Sequence, residues 1–106
     1  PLRRQRQMCI RDRYYLGMTY YKLDNCFEAL KHLSRFVQSR PRHQSVNGYM
    51  GVCYEKTGNI YSAYDAYKKQ VEINAYNEIG RYSSQRLPLL KSMIEKEEEK
   101  KKKRKK

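Results

Sequence analysis

The sequence predicts an all-α fold: two stacked helical hairpins, a further helix that closes the second, and a basic tail. Three observations predict it. The chain matches itself when shifted by 34 residues. Turn-forming residues recur at that same interval. Between them, apolar side chains fall at spacings of three and four, the period of an amphipathic helix.

The self-match places Gly17 on Gly51, Tyr20 on Tyr54 and Ala29 on Ala63, with Leu16 on Met50, Leu30 on Tyr64 and Leu33 on Tyr67. The identities sit where an antiparallel helix pair needs special residues. Glycine and alanine at a crossing let two backbones approach, and a large side chain beside the crossing fills the space they leave.

Taken in order, the elements follow from local signals. Residues 1–12 are expected to be a non-native or disordered leader, because RRQRQMCIRDR resembles translated sequencing-adapter sequence. From Tyr14 to Leu23 apolar residues recur at Tyr14, Leu16, Tyr20 and Leu23. Asp24-Asn25 then breaks the run, since both residues favour turns. Asn25 can cap the next helix, and Glu28 three residues on makes a near capping box. That helix carries Phe27, Leu30, Leu33, Phe36 and Val37, and Ser39-Arg40-Pro41 ends it because proline cannot continue a helix. The second copy runs from Val46 to Lys56, turns at Thr57-Gly58-Asn59 and resumes through Ile73, with Asn74 closing it. Ile79, Tyr82, Leu87, Leu90, Met93 and Ile94 mark one more helix, which Pro88 is expected to kink or divide into 78–86 and 88–98.

The pattern L-G-x-x-Y, then alanine nine residues after the tyrosine, a large apolar residue four later and a closing proline resembles the tetratricopeptide repeat (TPR). In the first copy it is carried by Leu16, Gly17, Tyr20, Ala29, Leu33 and Pro41, and in the second by Gly51, Tyr54, Ala63 and Tyr67. These ten are the expected repeat-packing residues. The sequence departs from the family at the tryptophan-like position, which is Arg13 and Asn47, and at the second closing proline, which is Ala75. The resulting division is a first repeat at 13–43, a second at 44–77, a capping helix at 78–99 and a disordered basic tail at 100–106. Solenoids generally need three or more units, so neighbouring repeats are expected to be missing from this fragment.

The resemblance implies a protein–protein interaction scaffold. In such arrays the first helix of each hairpin lines a concave groove that takes a peptide or helix of a partner. By position, that groove is expected to present Tyr14, Met18, Tyr21 and Lys22 from the first copy and Tyr49, Val52, Glu55 and Lys56 from the second. A strip rich in tyrosine and methionine suits an apolar or amphipathic partner. Some relatives clamp a chaperone's C-terminal carboxylate with lysine and asparagine, but this chain has Tyr14 and Met18 where the first repeat would place them.

Composition narrows the alternatives. Charged residues make up 33% of the chain and the formal net charge is +13, but residues 14–94 hold eleven Lys/Arg against six Asp/Glu. The basic excess therefore belongs to the ends. The run Lys100, Lys101, Lys102, Lys103, Arg104, Lys105 and Lys106 supports an alternative function, association with nucleic acid or an acidic surface through the tail alone. No aromatic platform motif or zinc knuckle accompanies it. Cys9, Cys26 and Cys53 form neither a metal-ligand spacing nor a disulfide framework, and read as reduced thiols of an intracellular protein, cytoplasmic or nuclear. His32 and His43 have no motif partners, and Gly48-Tyr49-Met50-Gly51 falls inside a helix, where small residues serve packing. No enzyme activity, cofactor or metal is expected, and no apolar run reaches membrane-spanning length.

Overall fold

A computed structural model of the chain describes residues 9–104. Among these residues five helices follow one another: α1 (Ile10–Lys22), α2 (Cys26–Ser39), α3 (Val46–Lys56), α4 (Ile60–Ile73) and α5 (Glu78–Arg104). Helices α1 and α2 form one antiparallel hairpin and α3 and α4 a second. The first hairpin stacks on the second through α2 and α3, and α5 packs on α4 and α3.

The two hairpin turns share one hydrogen-bond pattern, displaced by 34 residues. Asp24 N–H donates to the Tyr21 carbonyl at 3.1 Å and Asn25 N–H to Tyr20 at 2.9 Å; Gly58 N–H donates to Glu55 at 3.1 Å and Asn59 N–H to Tyr54 at 2.8 Å. This is the Schellman arrangement, which needs a left-handed residue just past the helix. Gly58 fills that place at φ +86°, as glycine does without strain, and Asp24 fills it at φ +61°. Each asparagine then caps the following helix: Asn25 Oδ1 accepts from Glu28 N–H at 3.2 Å, and Asn59 Oδ1 from Ser62 N–H at 3.3 Å. One short sequence thus ends one helix and starts the next in both copies.

The core lies in two layers. Cys26, Ala29, Leu33, Phe36, Val46, Met50 and Cys53 fill the space among α1, α2 and α3. Val52, Ala63, Tyr67, Ile79 and Leu90 fill that among α3, α4 and α5. At both crossings the glycine has no room for a side chain. A Cβ on Gly17 would lie 2.7 Å from Leu33 Cδ2, and one on Gly51 would lie 2.6 Å from the Tyr67 ring. Gly48 is equally confined, by Ile79 and by the Gln70 side chain. Gln70 is fully buried with its amide satisfied: it accepts from Gly48 N–H at 3.1 Å and donates to the carbonyls of Gln44 at 2.7 Å and Asn74 at 3.0 Å. It pins α4 to the segment joining the hairpins, because a buried amide is stable only when its polar atoms are paired.

Three expectations need correction. The first helix begins at Ile10, so residues 10–12 of the expected leader are helical, and residues 1–8 lie outside the described residues. Helix α5 runs through Pro88 as one helix, so the expected division into 78–86 and 88–98 does not occur. Pro88 and Ser84, whose carbonyl loses its usual donor, are both exposed, so water can take that bond. The basic run expected to be disordered is helical from Lys100 to Arg104, with Lys105 and Lys106 outside the described residues. Glu97, Glu98 and Glu99 precede Lys101, Lys102 and Lys103 by four residues each, the favourable order for side-chain pairs on a helix. The segment is also anchored to α4. The Tyr61 hydroxyl donates to Glu98 Oε1 at 3.0 Å, and Lys101 Nζ stands 5.5 Å from the centre of the Tyr61 ring.

Candidate functional site: the concave cleft

Helices α1, α3 and α5 stand side by side on one face, and a cleft of about 530 Å³ opens between them. Its walls are Tyr21 from α1, Tyr49, Val52 and Lys56 from α3, and Glu78, Ile79 and Tyr82 from α5. The rings of Tyr21 and Tyr49 meet edge to face at 5.0 Å and form one wall. Tyr82 stands opposite, with its ring against the buried Tyr67 at 6.1 Å. Burial pushes the Tyr21 phenol above its ordinary pKa, with Cys53 adding to the shift, so its hydroxyl stays neutral and available as donor or acceptor. Lys56 and Glu78 place one charge of each sign in the lining. Lys56 Nζ also pairs with Asp24 Oδ1 at 2.9 Å, which joins the two hairpin turns. The cleft is thus an apolar, aromatic trough with polar tips.

Of the eight residues expected in the groove, Tyr21, Tyr49, Val52 and Lys56 line this cleft. The other four are placed elsewhere or otherwise engaged. Tyr14 is half-buried, with its ring against Phe36 at 5.0 Å and His43 at 4.8 Å. Met18 packs half-buried on the first core layer. Lys22 is exposed at the end of α1. Glu55 is occupied internally: it accepts from the Tyr67 hydroxyl at 2.9 Å and from Arg86 Nε at 3.1 Å, and Arg86 Nη2 closes on its second oxygen. It ties α3 to α4 and α5 and has no free oxygen to offer a ligand.

The repeat-packing residues divide similarly. Gly17, Ala29, Leu33, Gly51, Ala63 and Tyr67 are buried at the crossings, and Leu16, Tyr20 and Tyr54 are half-buried. Tyr20 stacks on His32 with ring centres 5.7 Å apart. Pro41 is exposed in the turn after α2. Its part is in the backbone: it follows the end of α2, and its carbonyl accepts from Asn47 Nδ2 at 3.4 Å.

Three lining residues were not anticipated: Glu78, Ile79 and Tyr82. The repeat period was the signal that could have found them, since Tyr82 lies 34 residues beyond Gly48 and 68 beyond Tyr14. Helix α5 therefore occupies the place of the first helix of a third hairpin. It never turns, because the left-handed position held by Asp24 and Gly58 falls on Ser92, and the capping asparagine's place falls on Met93.

A second depression, about 480 Å³, lies on the α2 and α4 side with Val37, Arg42, Met50, Asp65, Lys69 and Glu72 among its walls. Its rim mixes charges of both signs and has Tyr54 as its one aromatic side chain, where the concave cleft has three. Among the described residues no group of three or more His, Cys, Asp or Glu could hold a metal ion, and no helix is long and apolar enough to cross a membrane.

The Tetratricopeptide repeat family model matches residues 13–43. The first hairpin is therefore similar to a tetratricopeptide repeat. The second hairpin reproduces its turn, its cap and its glycine crossing at an offset of 34 residues. No curated protein matches the chain. A tetratricopeptide repeat suggests a protein–protein interaction module, and the family is typically a non-catalytic scaffold.

His43 has a structural part in the link between the two repeats. Its Nδ1 accepts from the N–H groups of Ser45 and Val46, each at 3.2 Å, and so caps α3. Only the neutral ring can accept there. Burial holds its pKa below the ordinary 6.5. His32, its Nδ1 buried without a partner, is shifted the same way by burial, against the opposing pull of Glu28. A folded pKa below the unfolded one means that stability is fully present above the unfolded value and is lost as pH falls through the folded value. The thermal midpoint should therefore drop as pH is lowered from about 7.5 to about 5, with a loss from His43 of about 1 kcal/mol for its two cap bonds. His43→Asn keeps an acceptor that does not titrate. It should flatten that part of the profile in a pH series of thermal melts, and an unchanged slope would remove His43 as the source.

Proposed function

We propose that the concave cleft holds an amphipathic segment, a peptide or a helix, of a partner protein within an intracellular assembly, cytoplasmic or nuclear. One observation carries this reading: Tyr21, Tyr49, Val52, Ile79 and Tyr82, from three different helices, converge on one open trough whose lining has charge only at Lys56 and Glu78. Apolar side chains of the partner would lie between the tyrosine rings, and the phenol hydroxyls and the two charges would set its direction. The free thiols of Cys9, Cys26 and Cys53 are compatible with a reducing compartment.

The test is capture of partners from a eukaryotic lysate on the immobilised full chain, washed at low and high salt. Apolar contacts lose little at high salt, whereas phosphate contacts by lysine weaken by orders of magnitude. The expected result is a discrete protein retained in high salt and reduced about tenfold, equivalent to 1.4 kcal/mol, by Tyr49→Ser or Lys56→Glu. Circular dichroism would confirm that both variants remain folded. If the retained material is nucleic acid, is stripped by salt and depends only on Lys100–Lys106, the tail is the binding element and the groove reading fails.

A further inference from the structure

The two charges in the lining of the concave cleft stand at its opposite ends. Asn77 Nδ2 donates to the Gln44 carbonyl at 2.9 Å and to Ser45 Oγ at 3.5 Å, so α3 and α5 start side by side and run the same way. Glu78 opens α5 and Lys56 closes α3. Arg86 reaches Glu55, so Lys56 stands level with the next residue of α5, Leu87. A rise of about 1.5 Å per residue from Glu78 to Leu87 puts Lys56 about 13 Å beyond Glu78 along the groove. The pairing of Lys56 with Asp24 leaves that end basic. An ammonium has three donors and Asp24 takes one, while Lys22, the last residue of α1, is exposed at the start of the same turn.

The lining also selects a backbone conformation for its occupant. Between the charged ends it offers three phenols and the apolar Val52 and Ile79, with no amide side chain. An extended peptide would press N–H and C=O groups against that surface with few partners for them, which is costly. A helix pairs those groups internally and presents side chains alone. Dipole and charge then agree on a direction. A helix is stabilised by acidic residues in its first turn and basic ones in its last. Laid antiparallel to α1, α3 and α5, such a helix sets its acidic turn at Lys56 and its basic turn at Glu78, and its dipole opposes those of the three helices beside it. We infer that the cleft takes an amphipathic helix of a partner protein, antiparallel to α1, α3 and α5, with an acidic first turn at Lys56 and a basic last turn at Glu78. This rests on the groove reading and adds to it a conformation, a charge order and a direction.

The probe is a helix selected by phage display on the full chain. The library holds amphipathic helices of about fourteen residues, about 21 Å, with the end turns drawn at random from Glu, Gln and Lys. Clones with an acidic first turn and a basic last turn should be enriched, and Tyr49→Ser should weaken them. Fluorescence anisotropy of the synthetic peptide then reads the direction by pairwise coupling. Lys56→Gln and Glu78→Gln, both at exposed positions, should each weaken binding about threefold, as a part-exposed ion pair allows. Glutamine in the peptide's first turn should abolish the sensitivity to Lys56 and keep that to Glu78, and glutamine in its last turn should do the reverse. A library that yields no helix overturns the inference. So do couplings that are absent or exchanged between the ends, or binding indifferent to Tyr49→Ser. In each of these cases, lysate capture that Tyr49→Ser reduces would leave the groove reading in place, and capture that it does not touch would end both.

Discussion

Gly51→Val is expected to destabilise the chain by about 3 kcal/mol, close to the upper range for overpacking a well-filled core. A Cβ at this position would already lie 2.6–3.1 Å from three ring atoms of Tyr67, and the ring cannot move aside cheaply. Tyr67 is fully buried, its hydroxyl donates to Glu55 at 2.9 Å, and its ring meets the Tyr82 edge. Burial, and then the bond to Glu55, push its phenol far above the ordinary range, so it remains a donor. Helix propensity runs the other way, since valine is a better helix former than glycine by several tenths of a kcal/mol, on the order of 0.5. A net loss would therefore report the crossing itself. Urea unfolding with an unchanged slope would measure it. A variant as stable as the parent would mean that the two helices of the second repeat can separate at no cost.

Arg86→Ala should cost about 2 kcal/mol and loosen α5 selectively. The guanidinium supplies two bonds to Glu55 from a site only 28% exposed, and Glu55 is 20% exposed. Removing it leaves a largely desolvated carboxylate with the Tyr67 hydroxyl as its remaining partner, and hydrogen bonds to charged groups are worth about 1.5–3 kcal/mol each. Arg86→Lys should recover only part of the loss, because an ammonium cannot reproduce the planar fork. Hydrogen exchange resolved by helix would check this: amides of α5 should exchange faster while those of α1 and α2 hold. Uniform acceleration would show that the ion pair stabilises the whole chain and does not specifically dock α5. The consequence for function is direct, since α5 supplies Glu78, Ile79 and Tyr82 to the cleft.

The fold was legible in the sequence wherever local chemistry is sufficient. Asp24-Asn25 and Gly58-Asn59 specify a left-handed residue followed by a cap, and the structure has both. Glycine and alanine 34 residues apart locate the crossings, and Val46 to Lys56 is helical from end to end. The basic run was misread because its composition alone favours disorder. The helix there has local Glu–Lys pairs and also a contact with Tyr61, which is distant in sequence and reaches the helix only once α4 and α5 are packed.

The groove was legible in part, and for a physical reason. The resemblance to the repeat family implied which helices share a face, and of the eight residues it suggested Tyr21, Tyr49, Val52 and Lys56 line the cleft. It cannot say what stands opposite that face. Glu55 had the right position for a ligand-binding carboxylate, but Arg86, 31 residues on, engages it. Tyr14 met Phe36 and His43 instead of a partner. The third wall escaped because α5 has the repeat's position without its motif. What the sequence determined by itself were the elements, their ends and the repeat that pairs them, all set by interactions within a few residues. Only the tertiary structure decided which of the exposed-looking side chains remain free to meet another molecule, because that depends on partners brought together by packing.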